Sequence, residues 1–319
     1  MERFRVRLHR GPGEHRHGGQ SADAAGNSPS AAEGSPSPTG FPGADPGFTF
    51  FQARLQIDQG DFLCSGPELC LWRAPTDNDL IRAVPGHDLH ASHEWRSYGL
   101  DQLTSRWKQQ SQGLLRGEYL HGEEVRAETE ISLTEMKEYP GIYRLRADIN
   151  IDSRIEDLPR VGLLFEFPHE YEELMWYGPG PGETYPDRDS GFPLKIWHDR
   201  VKNQYQPYIF PQEMGGHSRC SLIGLSPEKA GKNSTKPDRE RARGFLISAR
   251  RDFHFSALHS RPEDLTGAKH SHEIPAGNSS VLIVDLYQRG IGTAACGPDA
   301  DPRWIQGGGS YRIDWYLAP

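Results

Sequence analysis

The chain has 319 residues, a formal net charge of −8, 35% hydrophobic residues, 35 glycines and 25 prolines. It is long enough for one large domain or two ordinary ones, and its glycine and proline content favours turns over long helices. Acidic and basic residues are mixed along the chain, which argues against a nucleic-acid partner, and no stretch approaches the ~20 apolar residues of a membrane span.

Residues 1–47 are rich in Gly, Ser, Pro and Ala, with almost nothing to bury, and are expected to be a disordered tail. His15 and His17 sit in that solvated segment and are read as carrying no metal. The start of the chain lacks the apolar core of a secretory signal, so a cytoplasmic location is expected. The sequons at Asn233 and Asn278 then carry little weight. Cys64, Cys70, Cys220 and Cys296 show no CxxC spacing, as suits free thiols in a reducing compartment.

From Phe48 onward the pattern is strand-like. "FTFFQARLQI" mixes aromatics with alternation. "EVRAETEISL" places Val125, Ala127, Thr129, Ile131 and Leu133 on one face, and "YRLRADINI" does the same with Tyr143, Leu145, Ala147, Ile149 and Ile151. A period of two marks half-buried antiparallel strands. "RVGLLFEF", "GFLISARRDFHFSAL", "SSVLIVDLYQ" and "SYRIDWYLA" continue the series, interrupted by a charged surface insertion at 226–243. Many short strands without long amphipathic helices predict an all-β fold over 48–319, a large antiparallel β-sandwich.

Three segments break this pattern: "WRAPTDND" with the stretch after it, "MWYGPGPGETYPDRDSG" and "YQPYIFPQEMGGHSRC". Each sets aromatics beside carboxylates or amides, a mixture suited to sugars, whose C–H faces stack on rings while fixed polar groups read the hydroxyls. Taken singly, each reads better as a sandwich loop stiffened by proline and aromatic packing. Asp77, Asn78 and Asp79 are read as turn caps and hydrogen-bond holders. The rival reading is a zinc site of His87, His90 and His93 with Asp88 nearby, but an i, i+3, i+6 spacing does not align three ligands on one helix face. His270 and His272 would share a face on a strand, yet two ligands are too few for structural zinc. No stoichiometric metal is expected.

In their order along the chain, these segments and the late "VDLYQRGIGTAACGP" resemble the small-chain, or C-terminal, domain of family 2 β-galactosidases. Leu71 takes an aromatic position and Met214 an asparagine position of the family pattern. The resemblance covers roughly 48–319 and implies a supersandwich of the galactose-mutarotase-like type. It also implies a part in retaining hydrolysis of terminal β-galactosides such as lactose. Both catalytic glutamates, with the Mg²⁺ and Na⁺ sites, belong in that family to a preceding (β/α)₈ barrel. No catalytic residue and no cofactor are therefore expected here, and Glu183, Asp187 and Asp189 are read as structural.

By family position, Ile81 and Arg82 lie in a mobile loop, about 80–94, at the active-site mouth, and Cys296 lies on the substrate side. The implied partners are a β-galactoside and a family 2 barrel chain, or further copies of this one. The alternative is a free-standing galactoside-binding or mutarotase-like module.

Overall fold

The alternating stretches form antiparallel strands because only a pleated strand sends every second side chain to the same face. A computed structural model describes residues 48–51, 54–57, 65–80, 90–228, 244–292 and 299–319. The strands are β1 Phe48–Phe51, β2 Arg54–Ile57, β3 Ser65–Cys70, β4 Thr104–Ser111, β5 Leu114–His121, β6 Glu124–Glu135 and β7 Tyr143–Ile151. They continue with β8 Arg160–Pro168, β9 Glu173–Pro179, β10 Leu194–Arg200, β11 Gly216–Ser226, β12 Phe245–Leu258, β13 Ser279–Gln288 and β14 Ser310–Ala318. Three short helices, α1 Asp77–Leu80, α2 Ala91–Ser97 and α3 Pro262–Gly267, join them. The unit Met1–Ala44, expected above to be a disordered tail, lies outside the described residues, as does most of the 226–243 insertion.

Twelve strands make one antiparallel sheet in the order β10-β9-β11-β12-β14-β7-β6-β5-β4, with a branch β12-β13-β8-β3. The fold turns on β12. Leu246–Ala249 of this strand pair with β14, and His254–Leu258 pair with β13. One long strand thus feeds two layers, which face each other across the core. Phe165 and Phe167 on β8 meet Phe245 on β12 at centroid distances of 5.4 and 5.1 Å. Phe48 on β1 packs edge-on against both Phe245 and Tyr143. This is the all-β sandwich that the alternation predicts.

Two details differ from the sequence reading. "FTFFQARLQI" is two short strands paired with each other, Phe48↔Ile57 to Phe51↔Arg54. In β6 the expected face breaks at its start, where Val125 is 42% exposed and Arg126 is buried. The register against β5 shifts there, Tyr119↔Ala127 but Leu120↔Val125, leaving Arg126 as the extra residue of a β-bulge. Its guanidinium reaches Asp152 Oδ2 at 3.2 Å and the Tyr98 carbonyl at 3.0 Å. Residues Tyr143 to Ile151 bury all five positions of the expected face.

Candidate functional site

After β3 the chain runs without regular structure to Thr76, then makes one helical turn. Thr76 Oγ1 accepts the Asp79 N–H (3.3 Å) while Asp79 Oδ2 accepts the Thr76 N–H (2.8 Å). This reciprocal pair is a capping box built from T-x-x-D. The same Asp79 carboxylate, fully buried, takes Arg73 in a fork: Nη2–Oδ1 2.7 Å and Nε–Oδ2 3.2 Å. Arg73 in turn donates to the carbonyls of Arg289 (2.7 Å) and Gly290 (3.1 Å). Arg289 is held by Asp157 (2.8 Å) and Asp299 (2.7 Å), and its Nη1 lies 3.5 Å from Asp79. Both guanidiniums lie against the buried Trp95 ring of α2, at 5.3 and 5.8 Å from its centroid. Burial pushes the Asp157 carboxyl up, though Arg289 opposes it. For Asp299, burial acts the same way but the Arg289 contacts outweigh it, so its carboxyl sits below the usual range.

The second segment closes on the same place. Asp187 accepts the consecutive N–H groups of Ile291 (3.1 Å) and Gly292 (2.8 Å). Residue 290 must be glycine for that approach, since a Cβ there would meet Asp187 Oδ2 at 2.7 Å. Gly292 has φ +86°, a conformation that L side chains rarely adopt. Glu183 accepts the Gly215 N–H at 3.0 Å and short bonds from Arg188 and the Tyr208 hydroxyl. Asp189 forms an ion pair with Arg219. Each of the three carboxylates in this acidic loop therefore has its own structural partner.

From the third segment, Gln212 Oε1 accepts the Asp77 N–H at 3.2 Å, and the Glu213 N–H donates to the Ala74 carbonyl at 3.0 Å. Finally, Asn78 Nδ2 donates to the Ile291 carbonyl at 2.7 Å. All four sequence segments thus surround one basin of about 240 Å³, rimmed by Asp77, Asn78, Arg188, Tyr208, Gln212 and Gly292. A larger depression of about 690 Å³ lies on β4–β7. It is lined by strand-face charges such as the exposed pair Arg116–Glu130 and contains no residue of the four segments. The basin, where all four segments converge, is therefore the better candidate.

The floor of the basin is a buried polar layer, to which Tyr185 and Glu213 of its lining belong. Arg160 is fully buried and forks onto Asp285 at 3.0 and 2.7 Å, with Glu213 at 3.5 Å. Around it, Tyr185 Oη, Glu213 Oε1, His254 Nε2 and both amide atoms of Gln288 are buried without a hydrogen-bond partner. Burial raises the Glu213 and Asp285 carboxyls and the Tyr185 phenol, and lowers His254. The accessible chemistry of the basin is that of its rim, which offers amide, carboxylate, phenol and guanidinium groups able to bond hydroxyls.

Of the residues singled out by sequence, Asp77 is exposed, Asn78 half-buried and Asp79 buried. Ile81, Arg82, Cys296, His87 and Asp88 lie outside the described residues. The loop expected over 80–94 ends earlier, because α2 begins at Ala91 with its Trp95 in the core. His90 caps that helix: its Nδ1 accepts the His93 N–H at 3.1 Å. His270 precedes and His272 lies within a 3₁₀ turn at Ser271–Glu273, rather than both sharing a strand face. Sequence reasoning missed Arg73, Arg160, Asp285 and Arg289. Nothing local marks these four in the sequence, because burial is not visible there and their partners lie up to 217 residues away.

Fold and basin together define a large antiparallel β-sandwich domain whose polar basin lies where four loop segments meet. Residues 52–317 match the family model described as Beta galactosidase small chain. The chain belongs to that family. The β-galactosidase of Arthrobacter sp. strain B7 is 31% identical over 275 residues, covering 79% of this chain and 26% of that protein. Priestia megaterium β-galactosidase is 28% identical, covering 74% and 21%, and the Kluyveromyces lactis enzyme 24%, covering 73% and 22%. The chain thus spans about a quarter of the length of these relatives. Among solved structures, a putative aldose 1-epimerase of Escherichia coli K12 is similar with a TM-score of 0.41 and 12% identity, covering 83% of this chain and 91% of that one.

Proposed function

We propose that this chain is the sugar-facing, non-catalytic part of a retaining family 2 β-galactosidase acting on lactose-type β-galactosides in the cytoplasm. A (β/α)₈ barrel seated against the basin supplies both catalytic glutamates and the Mg²⁺ and Na⁺ sites, and this chain adds no cofactor to the reaction.

The observation that carries the reading is the 2.7 Å bond from Asn78 to the Ile291 carbonyl. It ties together the two points from which residues 81–89 and 293–298 set out, the segments that hold Ile81, Arg82 and Cys296. An apolar contact surface supports a partner on the same side: Ile209 is 94% exposed and Phe210 41%, three and two residues from Gln212 of the rim. The buried free thiols of Cys70 and Cys220 support a reducing compartment. An epimerase-like reading needs a histidine and a glutamate converging on one sugar, whereas Glu213 lines the basin and His254 a separate depression, which favours the first reading.

The test is reconstitution. The full chain alone leaves an aryl β-galactoside intact, because the double displacement needs two carboxylates about 5–5.5 Å apart on one site. With a family 2 barrel chain it assembles, Ile209→Asp weakens assembly about tenfold, and Cys296→Trp shifts galactoside affinity by on the order of 1 kcal/mol. Turnover by the chain alone, lost on Glu183→Gln, would overturn the reading, as would assembly indifferent to Ile209→Asp.

A further inference from the structure

Away from the basin, three side chains of metal-ligating type meet, two from one turn and the third from nearly ninety residues further on. His169 and Glu172 stand on the turn between β8 and β9, and His259 follows the end of β12. One donor atom from each lies within 4.8 Å of the others. The turn is held by its own backbone: the Tyr171 N–H donates to the Pro168 carbonyl (3.0 Å), and the Glu172 carbonyl accepts the Val201 N–H (2.9 Å).

The hydrogen bonds leave one direction open on two of the three groups. His259 Nδ1 lies 3.0 Å from the Ser279 carbonyl, and a carbonyl can only accept, so Nδ1 carries the hydrogen. That orients Nε2 towards Glu172, the arrangement in which a backbone carbonyl fixes the tautomer of a metal-binding imidazole. Glu172 is 4% exposed, and its Oε2 faces the Lys202 N–H (3.4 Å) and Arg200 Nε (3.5 Å). Arg200 itself is drawn outward to Glu228 at 2.9 Å. Oε1 is left facing His259 Nε2 at 2.5 Å. A carboxylate oxygen and an imidazole lone pair repel at that distance, so a proton lies between them here; a metal ion that displaced it would engage the same two lone pairs with the donors moved apart. His169 supplies the reason to choose the metal. It lies stacked on His259 at 4.3 Å and is exposed, so its ring can swing onto an ion held by the other two.

We propose that His169, Glu172 Oε1 and His259 Nε2 bind one zinc-class divalent ion, with a fourth position open to water. Two imidazoles and one carboxylate form a donor set that selects such ions over magnesium or calcium. Ligand atoms about 2.0–2.1 Å from a tetrahedral ion lie roughly 3.3 Å apart. Binding therefore widens the Glu172–His259 contact and draws His169 inward. The site would clamp the β8–β9 turn to the end of β12, and it is independent of the galactoside reading.

The experiment uses the full chain, stripped with a chelator and titrated with Zn²⁺ against a chromogenic competitor, with Co²⁺ absorption as a second readout. One equivalent is expected to bind, with a tetrahedral Co²⁺ spectrum and a raised thermal midpoint. His169→Ala, at an exposed position, and His259→Gln should each weaken it by at least about 10-fold, while His90→Ala and His270→Ala leave it unchanged. Failure of the folded wild-type chain to retain the ion would overturn the proposal and leave a proton between Glu172 and His259. Binding that survives both ligand substitutions, or is lost on His90→Ala, would also overturn it.

Discussion

Asp79→Asn keeps the shape of the side chain and removes one buried charge. The wild-type carboxylate accepts from Arg73 Nη2 (2.7 Å), Arg73 Nε (3.2 Å) and the Thr76 N–H (2.8 Å), with Arg289 Nη1 at 3.5 Å. If the asparagine oxygen stays at the Oδ2 position, it still serves Nε and Thr76. Its NH₂ group then points at Arg73 Nη2 and Arg289 Nη1, so that donor faces donor and two fully buried guanidiniums lose their shared counter-charge.

Breaking a buried pair from one side costs about 3–5 kcal/mol, a large share of the ~5–15 kcal/mol that holds a domain together. Urea unfolding should show a lower midpoint at an unchanged slope. The neighbouring Asp77→Asn, at an exposed site, should stay within about 0.5 kcal/mol. Arg73→Met combined with Asp79→Leu should not recover wild-type stability, because the Arg289 and Gly290 carbonyls would lose their donor. A loss below about 1 kcal/mol for Asp79→Asn would refute the claim that this charge holds the loops in place.

Other substitutions probe the layers beneath. Gln288→Met should raise stability by about 1–2 kcal/mol, since both amide atoms are buried without a partner; a lower urea midpoint would mean that the amide is satisfied. His217, packed between Trp176 (4.4 Å) and Phe255 (4.9 Å), is lowered by burial to about 3. Its unfolded form binds the proton first, so its contribution is complete above the ordinary histidine range. It falls by up to about 1.4 kcal/mol per pH unit below pH ~6.5, down towards the folded value. His217→Phe should flatten that acid limb in pH-dependent melting, and an unchanged limb would assign it to other groups. Burial pushes the Cys70 thiol up to about 12 and Cys220 higher still. Both should resist alkylation in the native chain and react on unfolding, as counted by mass spectrometry; rapid native labelling of either would contradict their packing.

Strand character is a local property, and it was legible wherever both layers of the sandwich left one strand face to water. Residues 143–151 show this, their period of two being the burial pattern itself. The four glycine- and proline-rich segments were legible as a set, because turns, close approaches and capping residues need particular side chains at particular positions. T-x-x-D at 76–79 and the glycines at 290 and 292 are cases in point.

Register and long-range pairing were decided only by the tertiary structure. The bulge that buries Arg126 and exposes Val125 depends on which residues of β5 lie opposite, and alternation within β6 cannot reveal it. Asp79 reads in isolation as a turn residue. It becomes the counter-charge of Arg73 and Arg289 because β13 and β3, paired on either side of β8, end at the same edge of the sheet although two hundred residues separate them. His169, Glu172 and His259 have no common spacing in sequence, and only the end of β12 passing the β8–β9 turn brings them together. Alternation reports which face of a strand is buried, and capping patterns report where the chain turns. Neither carries information about which charges, brought in from distant strands, will share one low-dielectric space.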